Sequence, residues 1–263
     1  MRRYLVCLFL IFISKISAAQ SSKNTTFILE TVNNLNQPPG NNRCDDFMDS
    51  RAKAEIMDWT DAGFKNPEIH SINLARDNAQ RSRFTHEFRL SAVMFRNTGW
   101  SPEVLRSSLL RVAEIYSQCG IKLADAKLIV VDAPNDWLDI DHNRYAQIAQ
   151  MIPQSAARPI LAFVRADGRH GDTGYAYRRG RFGQAATVDT GWITNEVNSD
   201  TYKKIRTSGY SPLAHELAHI LGNSGHVIGD EKNLLGNSPV TVNNHITKEQ
   251  CETFKRHPSI TPL

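Results

Sequence analysis

His215-Glu216-Leu217-Ala218-His219-Ile220-Leu221-Gly222-Asn223-Ser224-Gly225-His226 sets three imidazoles and a carboxylate within twelve residues. Ser211-Pro212 ahead of it is a helix start, with Ser as cap and Pro at the first helical position. On a helix, residues four apart lie ~6 Å apart along the axis and ~40° around it, so His215 and His219 aim ring nitrogens at one ion. Glu216 falls ~60° from His219, close to such an ion without having to bind it. Leu213, Leu217, Ile220 and Leu221 supply a second, apolar face for burial. Gly222 lets the chain leave the helix through positive φ. His226 then returns as the third ligand, with Asp230 in reserve. Three protein ligands and one open corner are what a catalytic zinc requires.

Outward from this helix the chain alternates strands and helices. Upstream, residues 86–96 read as a strand, and Ser101-Pro102-Glu103 opens a helix with the buried stripe Leu105, Leu109, Val112 and Tyr116, closed by Gly120. Ile121–Val131 is the next strand, residues 142–152 a helix, and Pro159–Val164 a buried strand. Gly174–Thr194 reads as a hairpin followed by a strand, with Arg179-Gly180 near the turn. Downstream, residues 223–246 are irregular and Thr247 caps a last helix to about residue 257. The alternation predicts a mixed α/β layer structure from residue 84 to 263. Residues 20–83 are of another texture. A leader rich in Asn, Ser, Thr and Gln carries at most one short strand at Phe27–Val32. Residues 45–62 read as a helix on which Phe47, Ile56 and Trp59 share a face, and a weaker helix is expected after Pro67.

The 263 residues are 41% apolar and 22% charged, which excludes collagen, a mainly disordered chain, a disulfide-dense mini-protein and a polytopic membrane protein. Residues 1–19 have the three parts of a secretory signal: basic Arg2-Arg3, an apolar run from Tyr4 to Ile13, and small residues Ser17-Ala18-Ala19. The run is too short to span a bilayer, which needs ~20 residues. Arg2, Arg3 and Lys15 would leave with it, so the net charge of +4 falls to +1. That gives no case for a nucleic-acid or membrane partner, and an exported monomer is expected. Cys7 leaves too, and Cys44, Cys119 and Cys251 remain, one pair and one left over. Cys119 ends a helix and Cys251 lies in the last one, and these two are expected to bond.

H-E-x-x-H-x-x-G followed closely by His resembles the metzincin clan of zinc metallopeptidases, matrixin-like members in particular, over about residues 84–257. The resemblance implies an α/β (α+β) metzincin-like zincin fold: a mixed twisted sheet packed with an active-site helix and a C-terminal helix. It implies a secreted zinc endopeptidase in which His215, His219 and His226 bind zinc and Glu216 is the general base. Two residues depart from the pattern. The third His is expected at 225, where Gly225 stands, and Asn233-Leu234-Leu235-Gly236-Asn237 places Leu235 where the clan has the Met of a tight turn under the metal. Leu for Met nearly conserves volume. The substrate would lie extended on an edge strand within Ala185–Ile193, with the Gly236–Asn244 loop as one pocket wall. Cys44 would be a thiolate switch blocking the metal until residues 20–83 are removed, or simply a spare thiol. The departures motivate a rival reading, a secreted zinc-binding adhesion or interaction module with no turnover.

Other signals are weaker. Arg178, Arg179 and Arg181 make a basic turn, either a solvated hairpin tip or a contact for substrate or an anion. Asp139-Ile140-Asp141-His142-Asn143 begins like a calcium loop, but Arg144 and Gln150 stand where the loop needs Gly and Glu. His170-Gly171-Asp172 lacks the partner histidines of a structural metal site.

Overall fold

The computed structural model describes residues 29–31, 57–73, 83–140, 142–153, 156–167, 173–179, 188–198, 211–236 and 243–263. The signal segment, Cys44, Arg181, His170-Gly171-Asp172 and residues 237–242 of the expected pocket wall lie outside them.

Four strands form a parallel centre: β3 (His86–Phe95), β4 (Ile121–Asp132), β6 (Ile160–Val164) and β9 (Thr190–Thr194). β3 pairs with both β4 and β6, and β9 with β6. Near-continuous apolar runs such as Ile-Leu-Ala-Phe-Val in β6, buried throughout, are what a parallel sheet covered on both faces needs. Antiparallel strands flank this centre. β2 (Lys65–Asn73) pairs with β4, β1 (Leu29–Thr31) with β2, β8 (Gly174–Tyr177) with β9, and β10 (Ile260–Pro262) with the start of β3. The order is β1-β2-β4-β3-β6-β9-β8, so β8 ends the sheet among the described residues. A small pair, β5 (Asp139–Ile140) and β7 (Ala166–Asp167), lies apart.

The pleat divides the apolar side chains between two cores. On β3, Phe88, Leu90, Ala92 and Met94 face one cluster, and Val93 and Phe95 the other. On β4 the parity slips between Leu123 and Ala126, because the ladder with β3 steps from Phe88↔Leu123 to Arg89↔Asp125 and leaves Ala124 as the extra residue. The first core is roofed by α2 (Pro102–Tyr116), α4 (Pro212–Gly222) and α5 (Lys248–Lys255). The second holds α3 (His142–Met151) and Trp59 and Phe64, whose rings lie 5.3 Å apart. The Tyr116 hydroxyl donates to the Ala214 carbonyl at 3.1 Å and ties α2 to α4. The expected disulfide Cys119–Cys251 is present and joins the end of α2's extension to α5 across a separation of 132 residues. The chain-entropy model sets its stabilisation at up to ~5 kcal/mol.

The helix starts are where the cap residues put them. Ser101 and Ser211 accept from the Val104 and Ala214 amides, each with Pro at the next position. Thr247 and Gln250 close a capping box on α5. The segment after Pro67 is a different matter, for it is strand β2 and not a helix. Pro67 sits where the ladder to β4 shifts between Lys65 and Glu68, an irregularity that accommodates its missing N–H. Partners from Glu68↔Val130 to Asn73↔Asp125 then supply hydrogen bonds that local sequence could not announce. Of the helix expected over 45–62, residues 57–61 (α1) are described.

Candidate metal centre

Helix α4 carries His215, Glu216 and His219 on its buried side, at 5%, 7% and 8% exposure. The Nε2 atoms of His215 and His219 stand 3.1 Å apart, and His226 Nε2 stands 3.2 Å from His215 Nε2. One ligand atom from each of the three rings lies within 4.8 Å of the others. Tetrahedral zinc with Zn–N near 2.0–2.1 Å would hold nitrogens ~3.3 Å apart.

The outer nitrogens decide what these contacts are. His215 Nδ1 meets the Leu234 carbonyl at 2.6 Å and His219 Nδ1 meets the Ser224 carbonyl at 2.8 Å. A carbonyl only accepts, so both Nδ1 atoms carry the proton, and in the neutral rings both Nε2 atoms present lone pairs. Two lone pairs at 3.1 Å, largely out of water, repel unless a cation lies between them. The donor set therefore fits a divalent metal, with two backbone carbonyls orienting the ligands. His226 is exposed as a residue, yet desolvation of its ring lowers its pKa below the ordinary histidine value, which favours the neutral, ligating form.

His226 reaches this place by a route other than the one expected of Gly222. Gly222 is the last helical residue, and Asn223 takes the left-handed turn, with φ 45°. Gly222 is needed for space: a Cβ there would lie 2.9 Å from both Phe254 Cε1 and Ser224 Oγ. Beyond the turn, the Ser224 carbonyl is held by His219, and the Val227 amide donates to Leu235 O at 2.8 Å. The main chain on both sides of residue 226 is thereby tied down, and the His226 ring is brought beside His215 and His219. Asp230 is drawn elsewhere, accepting from the Lys232 amide at 3.1 Å.

Leu235 lies fully buried in the turn whose preceding carbonyl, Leu234 O, meets His215 Nδ1. Its amide donates to Asn233 Oδ1 at 2.9 Å, the Gly236 amide to Asn233 O at 2.8 Å, and Leu234 supplies the carbonyl on His215. The Asn233 and Gln250 amide groups bond reciprocally at 2.9 and 3.0 Å, anchoring the turn to the cap of α5.

The edge strand is not where it was expected. Residues 185–187 are not described, and Thr190–Thr194 is buried throughout and paired on both sides, by β6 and β8. Among the described residues β8 pairs only with β9 and ends the sheet on this side, and its Gly174 lies against Glu216: a Cβ there would meet Glu216 Oε1 at 2.9 Å. A glycine in a strand marks a close approach, and that was the available signal. The basic turn also resolves differently from a solvated tip. Arg179 donates from Nε and Nη2 to the two carboxylate oxygens of Asp189, at 3.1 and 2.6 Å, and His257 Nε2 lies 3.2 Å from Asp189 Oδ1. Burial pushes the Asp189 carboxyl up, but the bonds from His257 and Arg179 hold it down at about 2. Nothing in the local sequence signalled this network.

No protein-family model and no curated protein matches the chain. Among solved structures it is similar to metalloproteinase-II from Bacteroides fragilis, with 14% identity, 65% of this chain and 53% of that one covered, and a TM-score of 0.43. It is similar also to archaemetzincin from Methanopyrus kandleri, with 16% identity, 65% and 94% covered, and a TM-score of 0.41. The chain spans about half the length of the Bacteroides protein. Among the described residues no helix is long and apolar enough to cross a membrane.

Proposed function

We propose that the chain is an exported zinc endopeptidase of metzincin type, with His215, His219 and His226 as metal ligands and Glu216 as general base. The observation that carries this reading is the pair of Nδ1–H···O=C bonds, which turn the lone pairs of His215 and His219 toward one point that His226 shares. When bound, zinc would supply a water with pKa near 7 and polarise the scissile carbonyl. Glu216 is next to His215 in sequence and buried against Gly174 of the open strand. Its carboxylate takes the water proton and delivers it to the leaving amine. A peptide adding to the edge of β8, which has no second partner strand among the described residues, gains main-chain hydrogen bonds there and brings its carbonyl alongside Glu216. The Arg2-Arg3 and Tyr4–Ile13 pattern supports export, with cleavage before Gln20.

The test is metal analysis of purified protein coupled to digestion of a peptide library. Zinc near one equivalent is expected, with cleavage that Glu216→Ala lowers by about 10²–10⁴-fold while zinc content stays unchanged. Zinc-loaded wild type that cuts nothing would refute turnover and leave the adhesion or interaction module standing.

A further inference from the structure

We propose that Arg178 selects the substrate of this site, favouring peptides with an Asp or Glu within about four residues of the scissile bond. The inference rests on the peptidase reading above and adds to it the chemical class of peptide. Two arginines follow the open strand β8, and the pleat sends them to opposite faces. Arg179 runs to the buried Asp189 carboxylate, and that bidentate contact pins the main chain at the strand's end. Arg178 has the parity of Gly174, the residue that faces Glu216 on α4. In keeping with that parity, a Cβ at position 225 would lie 3.5 Å from Arg178 Nη1. The guanidinium thus lies over the link between Ser224, whose carbonyl holds His219, and His226.

Elsewhere in the fold Arg96 pairs with Glu68 and Asp132, Arg165 with Asp139 and Arg179 with Asp189, while Arg158 donates to the Val188 carbonyl. Among the described residues no carboxylate pairs with Arg178, which is half-buried at the side of the centre. A planar fork of donors in that position matches a carboxylate. Strands rise ~3.3 Å per residue, so a peptide with its scissile bond opposite Gly174 would bring a residue about four positions away beside Arg178.

The experiment compares peptides that differ only by Asp or Glu against Asn or Gln at each position near the cleaved bond. The proteins are zinc-loaded wild type, Arg178→Gln and Arg178→Glu, with direct binding of the same peptides to Glu216→Ala and to Glu216→Ala/Arg178→Gln. Acidic peptides should show kcat/KM about 10- to 100-fold above neutral ones in wild type. Arg178→Gln should erase the difference, and Arg178→Glu should shift preference to Lys and Arg. The binding arm should show a like difference, lost in the double variant. A preference that survives Arg178→Gln, or equal kcat/KM for acidic and neutral peptides in wild type, overturns the proposal. If wild type cuts nothing, the peptidase reading fails, and the binding arm still decides: equal affinity for the two peptides refutes the role of Arg178.

Discussion

Gly174→Ala adds one methyl group to the open strand, and the structure says where it goes. Gly174 is in extended backbone within β8, so alanine meets no conformational barrier there. Its Cβ would lie 2.9 Å from Glu216 Oε1, 3.0 Å from Glu216 Cγ and 3.1 Å from Trp192 O. Trp192 is wholly buried in a strand bonded on both sides, so that carbonyl cannot give way. Glu216 must retreat, by ~0.5 Å or more to regain ordinary contact. Catalytic groups tolerate displacements of about 0.5 Å, and 1 Å costs about 10²-fold. The expected fall in kcat/KM is therefore about 10- to 100-fold. Overpacking costs about 1–3 kcal/mol, offset by about 0.5–1 kcal/mol from removing a strand glycine. A net loss of up to about 2.5 kcal/mol should lower Tm by a few degrees. A fluorogenic peptide assay, zinc analysis and a thermal melt on one preparation measure all three. Zinc content should not change, because no added contact involves a histidine. Wild-type kcat/KM in the alanine variant would refute the placement of Glu216 as the base beside this strand.

Leu235→Met should be nearly neutral, costing under about 1.5 kcal/mol with zinc retained through chelator dialysis. Leu235→Ala empties a fully buried position next to the residue whose carbonyl meets His215, and should cost about 2–5 kcal/mol and loosen zinc; wild-type melting and zinc retention in that variant would contradict the role of the turn. Asp189 titrates at about 2 in the fold against an ordinary 3.8, so its contribution is complete above pH ~4 and lost as pH falls from there through about 2. That difference is worth about 2 kcal/mol. In urea titrations between pH 2 and 6, Asp189→Asn should therefore flatten the acid limb, and a profile parallel to wild type would show that the Arg179–Asp189–His257 network does not stabilise the fold.

The elements legible in sequence were those with local causes. Ser-Pro starts at 101 and 211 and the Thr247–Gln250 box placed three helices, because a cap satisfies amides within its own first turn. Buried runs such as Ile160–Val164 announced strands covered on both faces. Pro67 misled because the hydrogen bonds that make β2 a strand come from β4, about sixty residues away.

The same division runs through the site. Spacing alone determined that His215, Glu216 and His219 share a helix face, since 3.6 residues per turn allows nothing else. Which residue completes the set was decided in three dimensions, where the turn at Asn223, the Ser224 carbonyl and the Val227–Leu235 bond together place His226. Gly174 against Glu216, Arg179 on Asp189 and Arg178 beside Gly225 likewise depend on strand order and on which edge stays open. A helix period is a property of neighbouring residues, whereas strand order depends on contacts between segments far apart in the chain, and folding alone brings those together.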